Sequence, residues 1–186
     1  MKYLYVNCSP KLSKSNSYNI LKKISEDEIL NLYIEENILN KIENTDTLVL
    51  SMPLYIDSPP YKVIELFETL KRKNIKSKNI YIITNCGFLE PKQNDISVEI
   101  VKNFCSENNW NYKGSFKIGS GEIIGKYNKN KIYRILSNDF IKKANKFKEN
   151  ILKNNYVELS TTIKPMTQNL FIKFANHSFK RKIDSK

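Results

Sequence analysis

Two stretches of this chain, Thr47–Met52 (TLVLSM) and Asn79–Thr84 (NIYIIT), are almost uninterruptedly apolar. A strand with one wet face alternates apolar and polar residues. A run that does not alternate suits a strand covered on both faces, as in a parallel sheet with helices above and below. The neighbouring segments agree. Pro59 and Pro60 open a helix with Val63, Ile64, Phe67 and Leu70 on one face and Glu65, Glu68, Lys71 and Arg72 on the other. Ile96, Ile100, Val101, Phe104 and Cys105 form a second helical stripe running to Glu107. Lys131–Lys153 is the longest periodic segment, with Ile132, Ile135, Leu136, Phe140, Ala144, Phe147 and Ile151 facing one way. Upstream, Tyr3–Val6 reads as a strand, Ile20, Leu21 and Ile24 as a helix face, Ile29–Ile34 as a short strand, and Ile38, Leu39 and Ile42 as a brief helix. Tyr112–Ile118 alternates as a fifth strand. Strands and helices in alternation, five of each, predict an α/β domain with a parallel sheet covered on both faces.

The 186 residues suit one such domain over 1–155, followed by a tail over 156–186. In that tail Thr161–Pro165 is expected to be extended. Asn169–Phe179 (NLFIKFANHSF) is expected to form a short amphipathic helix before the basic run Lys180-Arg181-Lys182. No apolar run approaches the ~20 residues that cross a bilayer, and Met1–Val6 is too short for a signal peptide. Cys8, Cys86 and Cys105 are odd in number and lack metal-ligand spacing, which points to a reducing cytoplasm rather than a disulfide framework or a zinc site. The net charge of +12 is dispersed, with acids such as Glu26, Asp27, Glu28, Glu35 and Glu36 between the lysines. That distribution favours a solvated lysine surface over a nucleic-acid or lipid-binding patch.

In an open parallel sheet, ligands bind beyond the carboxyl ends of the strands. Three loops fall there: Asn7–Ser17, Pro53–Pro60 and Asn85–Glu90. The first joins a strand to a helix through a hydroxyl-rich turn (Ser9, Ser13, Ser15, Ser17) flanked by Lys11 and Lys14. Helix-start amides lack intrahelical acceptors and sit at the positive end of the helix dipole, so an anion is favoured there. Ser15, Asn16 and Ser17 either donate to such an anion or form an ordinary helix cap that binds nothing.

Taken together, these loops resemble those of the flavodoxin-like NAD(P)H-dependent FMN reductases, within the flavodoxin superfamily. Asn7-Cys8-Ser9-Pro10-Lys11…Ser15-Asn16-Ser17 is similar to that family's N-G-S-P-R…S-N-S phosphate loop. Pro53-Leu54-Tyr55…Ser58-Pro59-Pro60 is similar to its P-x-Y…S-x-P ring loop, and Asn85-Cys86-Gly87-Phe88…Glu90 resembles the loop over the flavin pyrimidine. The likeness implies a flavodoxin-like three-layer sandwich with a five-stranded sheet of order 2-1-3-4-5, an FMN cofactor, NADH or NADPH as co-substrate, and a homodimer. It implies that Ser9, Lys11, Ser13, Ser15, Asn16 and Ser17 hold the phosphate. Pro53, Leu54, Tyr55, Ile56, Asn85, Cys86, Gly87 and Phe88 would line the ring. Cys8 stands where the family has glycine, adding a side chain where backbone approaches closely. Lys11 replaces arginine, giving a point charge in place of a bidentate fork.

The implied chemistry needs no acid–base side chain, because the flavin carries it and the protein orients the reactants. The expected activity is therefore hydride transfer from a nicotinamide through FMN to a quinone, a free flavin or another small acceptor. His177 is read as a surface or packing residue, Cys86 as a buried thiol and Tyr55 as a ring-stacking or rim residue. Gly119–Gly125 (GSGEIIG) is spaced G-x-G-x-x-x-G and follows the last expected strand, so it is a loop beside the site and not a dinucleotide fingerprint. Two other readings compete: a flavodoxin-type electron carrier, and a basic interaction module that has lost the flavin. The second would use Phe171, Ile172, Phe174, Phe179 and the basic run to meet a membrane or another anionic surface.

Overall fold

The computed structural model describes residues 1–122, 124 and 137–163. In chain order the elements are β1 (Tyr3–Asn7), α1 (Asn16–Ile24), β2 (Ile29–Asn31), α2 (Ile38–Glu43), β3 (Thr47–Pro53) and α3 (Tyr61–Arg72). Then come β4 (Asn79–Asn85), α4 (Asp95–Glu107), β5 (Asn111–Gly119), α5 (Asn138–Leu152) and β6 (Val157–Thr162). All neighbouring strands are parallel, in the order β2-β1-β3-β4-β5-β6.

The unbroken apolar runs follow from this placement. Leu48, Leu50, Ile80 and Ile82 pack with Val63, Phe67, Val101 and Phe104, so α2, α3 and α4 cover one face. Val49, Tyr81 and Ile83 pack with Ile20, Leu21, Phe140 and Phe147, so α1 and α5 cover the other. Central strands therefore have no wet side, and both periods of the pleat are apolar.

Two helix stripes hold as expected at Val63, Phe67 and Leu70 and at Val101, Phe104 and Cys105, and differ at single positions. Leu66 takes the buried place expected for Ile64 on α3, and Val98 that expected for Ile100 on α4; Ile64 and Ile96 face outward. The α5 stripe is as expected at Phe140, Ala144, Phe147 and Ile151. Its expected beginning over 131–136 lies outside the described residues, as do the helix and basic run expected after 163.

The sheet has six strands, correcting the expectation of five. β6 pairs with β5 from Gly114↔Val157 to Gly119↔Thr162, within the stretch read as tail. Its sequence, VELSTT, holds two apolar residues because an edge strand has one ladder and little buried face to fill. Gly114 makes that edge possible. At φ +136° it sits where β4 and β5 shift register, and a Cβ there would lie 1.8 Å from the Val157 carbonyl oxygen.

Chain direction across the sheet reverses at β1. From β1 it passes outward to β2, then back across to β3, so the crevice at the carboxyl ends of β1 and β3 is the switch point of the fold.

Candidate functional site

The register places small polar residues side by side at this crevice. Asn7 of β1 lies opposite Asn31 of β2 and Ser51 of β3, and Pro53 lies opposite Asn85 of β4. Asn7 and Ser51 follow Tyr5 and Val49 in the period-two pattern, so they face the layer that contains α1.

Asn7 is fully buried and uses both ends of its amide. Its Nδ2 donates to the Leu12 carbonyl (2.9 Å) and to Asn31 Oδ1 (2.7 Å). Its Oδ1 accepts from the Ser9 amide and from the Ser15 hydroxyl, each at 3.2 Å. The turn it holds bends through Leu12, whose φ of +51° is left-handed, into a short 3-10 turn over Leu12–Lys14. Ser15 then caps α1, its Oγ accepting from the Tyr18 amide at 3.1 Å. Of the two sequence readings of Ser15, the structure shows the helix cap; its hydroxyl proton goes to Asn7 Oδ1.

The other predicted phosphate residues divide by exposure. Ser9 and Ser17 are buried, whereas Lys11, Ser13 and Lys14 are exposed and Asn16 is half-buried. Ser9 Oγ accepts from the Lys11 amide (3.3 Å), and Ser17 Oγ accepts from Asn85 Nδ2 (2.9 Å). Each hydroxyl is thereby an acceptor with its own proton still to give. Among the described residues, neither proton has an acceptor, and neither do the amides of Ser13, Asn16 and Ser17. These unspent donors lie at the start of a helix, on a stretch that also carries Lys11 and Lys14. An anion with several oxygens satisfies that set; a cation or a neutral acceptor-poor group does not.

The second loop carries the predicted ring residues Pro53, Leu54, Tyr55 and Ile56. Pro53 is buried, and the Leu54 amide donates to the Asn85 carbonyl at 2.8 Å. Tyr55 and Ser58 exchange backbone hydrogen bonds of 2.9 and 3.1 Å around Ile56 and Asp57, at φ +47° and +55°. This two-residue turn needs left-handed backbone at both central positions. Ile56 stands at its tip, fully exposed.

In the third loop, Asn85 and Cys86 are buried while Gly87 and Phe88 are exposed. Cys86 Sγ lies 3.7–3.8 Å from the carbonyls of Phe88, Glu90 and Ile118 and accepts from Asn94 Nδ2 at 3.3 Å. Burial pushes its thiol pKa up. Gly119–Glu122 lies on this loop: the amides of Ser120 and Gly121 donate to the carbonyls of Phe88 (2.6 Å) and Cys86 (2.8 Å). A Cβ at Gly119 would come within 2.2 Å of the Leu89 carbonyl, so close backbone contact explains that glycine. Glu122 Oε1 lies 3.5 Å from the place a Gly87 Cβ would take. Ile123 and Gly125 of the expected loop lie outside the described residues.

Asn85 unites the three loops, bonding to Ser17 through its side chain and to Leu54 through its carbonyl. Cys8, expected to protrude where a ligand approaches, instead packs in the core beneath α2 and α3, with its thiol pKa raised by burial. Period two explains this: Cys8 follows Val6 and points to the opposite face from Asn7.

Sequence reasoning missed Asn7 as a structural hub, together with Asn31, Ser51 and Tyr33. Ser51 Oγ donates to the Ser17 carbonyl at 3.0 Å. Tyr33 meets Tyr61 edge-to-face with centroids 5.8 Å apart, and burial, with Tyr61, Cys8 and Tyr55 nearby, raises its hydroxyl pKa. A small polar residue at or near the carboxyl end of each of four adjacent strands was the available signal for the first three.

This architecture is a flavodoxin-like fold. Among solved structures, the chain is similar to an NADPH-quinone reductase from P. pentosaceus, with TM-score 0.59, 14% identity, and 81% of this chain and 97% of that one covered. It is also similar to an NAD(P)H:quinone oxidoreductase from Methanothermobacter marburgensis (TM-score 0.57, 13% identity, 81% and 98% covered). The Fusobacterium nucleatum flavodoxin bound to flavin mononucleotide matches at TM-score 0.54 and 13% identity, with 83% and 99% covered. No family model and no curated protein sequence matches the chain.

Proposed function

We propose that this chain is an FMN-dependent NAD(P)H oxidoreductase acting on a quinone, a free flavin or a similar small acceptor. The observation that carries the reading is the cluster of unspent donors at the switch point of the sheet. The amides of Ser13, Asn16 and Ser17 and the hydroxyl protons of Ser9 and Ser17, which have no acceptor among the described residues, together with the ammonium groups of Lys11 and Lys14, fit a phosphate monoester. Two features of its neighbours support a flavin on that phosphate: the quinone reductases use a nicotinamide by name, and the flavodoxin binds FMN.

Bound FMN would supply the centre that takes hydride from a nicotinamide and passes electrons on. The protein's part is binding, orientation and exclusion of water. The α1 amino terminus, with the hydroxyls of Ser9 and Ser17, would hold the phosphate. Leu54, Tyr55, Ile56, Gly87 and Phe88 supply flat and apolar contacts for the ring, and the buried Pro53, Asn85 and Cys86 set the shape of the two loops that carry them. No side chain is assigned a proton-transfer role. The three cysteines are free and buried, which suits a reducing cytoplasm as the place of action. No helix among the described residues is long and apolar enough to cross a membrane. A homodimer is the expected assembly.

Anaerobic addition of NADH and of NADPH to the FMN-loaded protein tests the activity. Rapid loss of the oxidised flavin spectrum with either nucleotide is expected. Slow reduction by both, with fast reduction by a separate reductase, would make the protein an electron carrier; its charge of +12 argues against docking on a basic partner.

A further inference from the structure

We infer that Asn7 is the positioning residue through which the cradle distinguishes a phosphate-bearing flavin from one without phosphate; the inference rests on the FMN reading above. An anion site must present donors and hide acceptors, yet a turn of this kind brings its own carbonyls and side-chain oxygens close to the ligand. Asn7 Nδ2 takes up two of those oxygens, the Leu12 carbonyl and Asn31 Oδ1. Its Oδ1 holds the Ser9 amide and the Ser15 hydroxyl on the inner side of the loop, and with Ser15 so oriented its Oγ lone pair faces the Tyr18 amide. Among the described residues this leaves the amides of Ser13, Asn16 and Ser17 and the hydroxyl protons of Ser9 and Ser17 without an acceptor.

Aspartate has the shape but no donors, and adds a negative charge beside the anion. Asn7 has no exposed surface, so it acts through the loop and not by touching the ligand.

The test compares FMN with riboflavin, which has the same ring and no phosphate, by quenching of flavin fluorescence on the full-length chain. Asn7→Asp is expected to weaken FMN by about tenfold or more, as for leaving buried partners unsatisfied, and to leave riboflavin affinity unchanged within about twofold. The ratio of variant to wild-type FMN affinity is expected to recover as pH falls from 8 to about 5, since protonation removes the introduced charge and restores one donor. A merely structural role would weaken both flavins together without that pH dependence, and this outcome would overturn the inference. Asn31→Ala removes one acceptor of Asn7 at a half-buried position. It is expected to give a smaller FMN-selective loss, and it decides the matter should Asn7→Asp fail to fold; an unchanged FMN-to-riboflavin ratio there overturns the inference as well. Wild-type protein that binds neither flavin would instead overturn the FMN reading itself.

Discussion

Ile56 carries the most telling conformation of any single residue. A β-branched side chain at φ +47° is disfavoured by about 1–2 kcal/mol, and being fully exposed it gains no packing in return. Replacing the turn pair by Ile56→Asn with Asp57→Gly supplies residues that accept left-handed backbone. The double variant is expected to be more stable by about 1 kcal/mol, read as a higher urea midpoint with an unchanged slope. An unchanged or lower midpoint would mean that the side chain is held by contacts worth more than the strain. The cysteines give a second prediction at this scale. Cys8, Cys86 and Cys105 are all free and buried, and burial raises each thiol pKa, that of Cys105 to about 12. The native protein is expected to resist a thiol-specific disulfide reagent at pH 8, and to react at all three only when unfolded. Fast reaction of one thiol in the native state would contradict the buried placement of Cys86 behind the third loop.

At the scale of elements, β6 and its attachments decide whether the sheet edge stands. A Cβ at position 114 meets the Val157 backbone at 1.8 Å and at a φ of +136°, so neither the space nor the conformation exists for it. Gly114→Ala is expected to cost about 3 kcal/mol, whereas Gly87→Ala, with 3.5 Å to the end of a flexible Glu122, is expected to cost under about 0.5 kcal/mol. Equal thermal melting shifts in the two variants would contradict the β5–β6 register.

Asp139 ties α5 to that edge. Its carboxylate accepts from Lys143 Nζ (2.7 Å) and the Thr161 hydroxyl (2.6 Å), and these two contacts lower its pKa. Because the folded value lies below the unfolded one, the stabilisation is present above the ordinary Asp pKa near 3.8 and is lost as pH falls through the folded value. Asp139→Asn is therefore expected to be less stable than wild type at pH 7, by under about 1 kcal/mol at so exposed a pair. The two should converge in strong acid, as followed by denaturation at stepped pH.

These elements also mark where sequence patterns suffice. Unbroken apolar runs announced β3 and β4 because both faces of those strands are covered. β6, with Glu158 and Ser160 outward and Lys143 bonded to the Ser160 carbonyl at 2.8 Å, has no such pattern to display. The helix stripes missed at Ile64 and Ile96, with Leu66 and Val98 buried two positions further on, because neighbouring apolar positions compete for one narrow stripe and packing, not hydropathy, selects between them.

For the whole molecule, the lesson concerns what kind of information a site leaves in a chain. The loops were legible from their position after apolar strands, and their residues resemble a phosphate loop and two ring loops. The division of labour within them was not. Ser9, Ser15, Ser17 and Asn85 look like ligand contacts in the sequence, yet their first duty in the fold is to bond one another and the backbone. Only the register, which sets Asn7 between Asn31 and Ser51, shows which donors are left over. The charge of +12 likewise looks like a binding surface in composition, whereas in the fold several lysines are paired, among them Lys41–Glu35, Lys71–Glu107 and Lys117–Asp95.

The most direct test of the cradle reads the phosphate itself. Phosphorus NMR of FMN bound to the full-length chain, recorded from pH 5 to 8, follows a group whose second ionisation in solution lies near pH 6. Held by the unspent amides and hydroxyls beside Lys11 and Lys14, the phosphate is expected to stay dianionic, with a shifted resonance that does not titrate across that range. A resonance at the free position that titrates as in solution would show that no donor set grips it, and the assignment of this fold to FMN would fail.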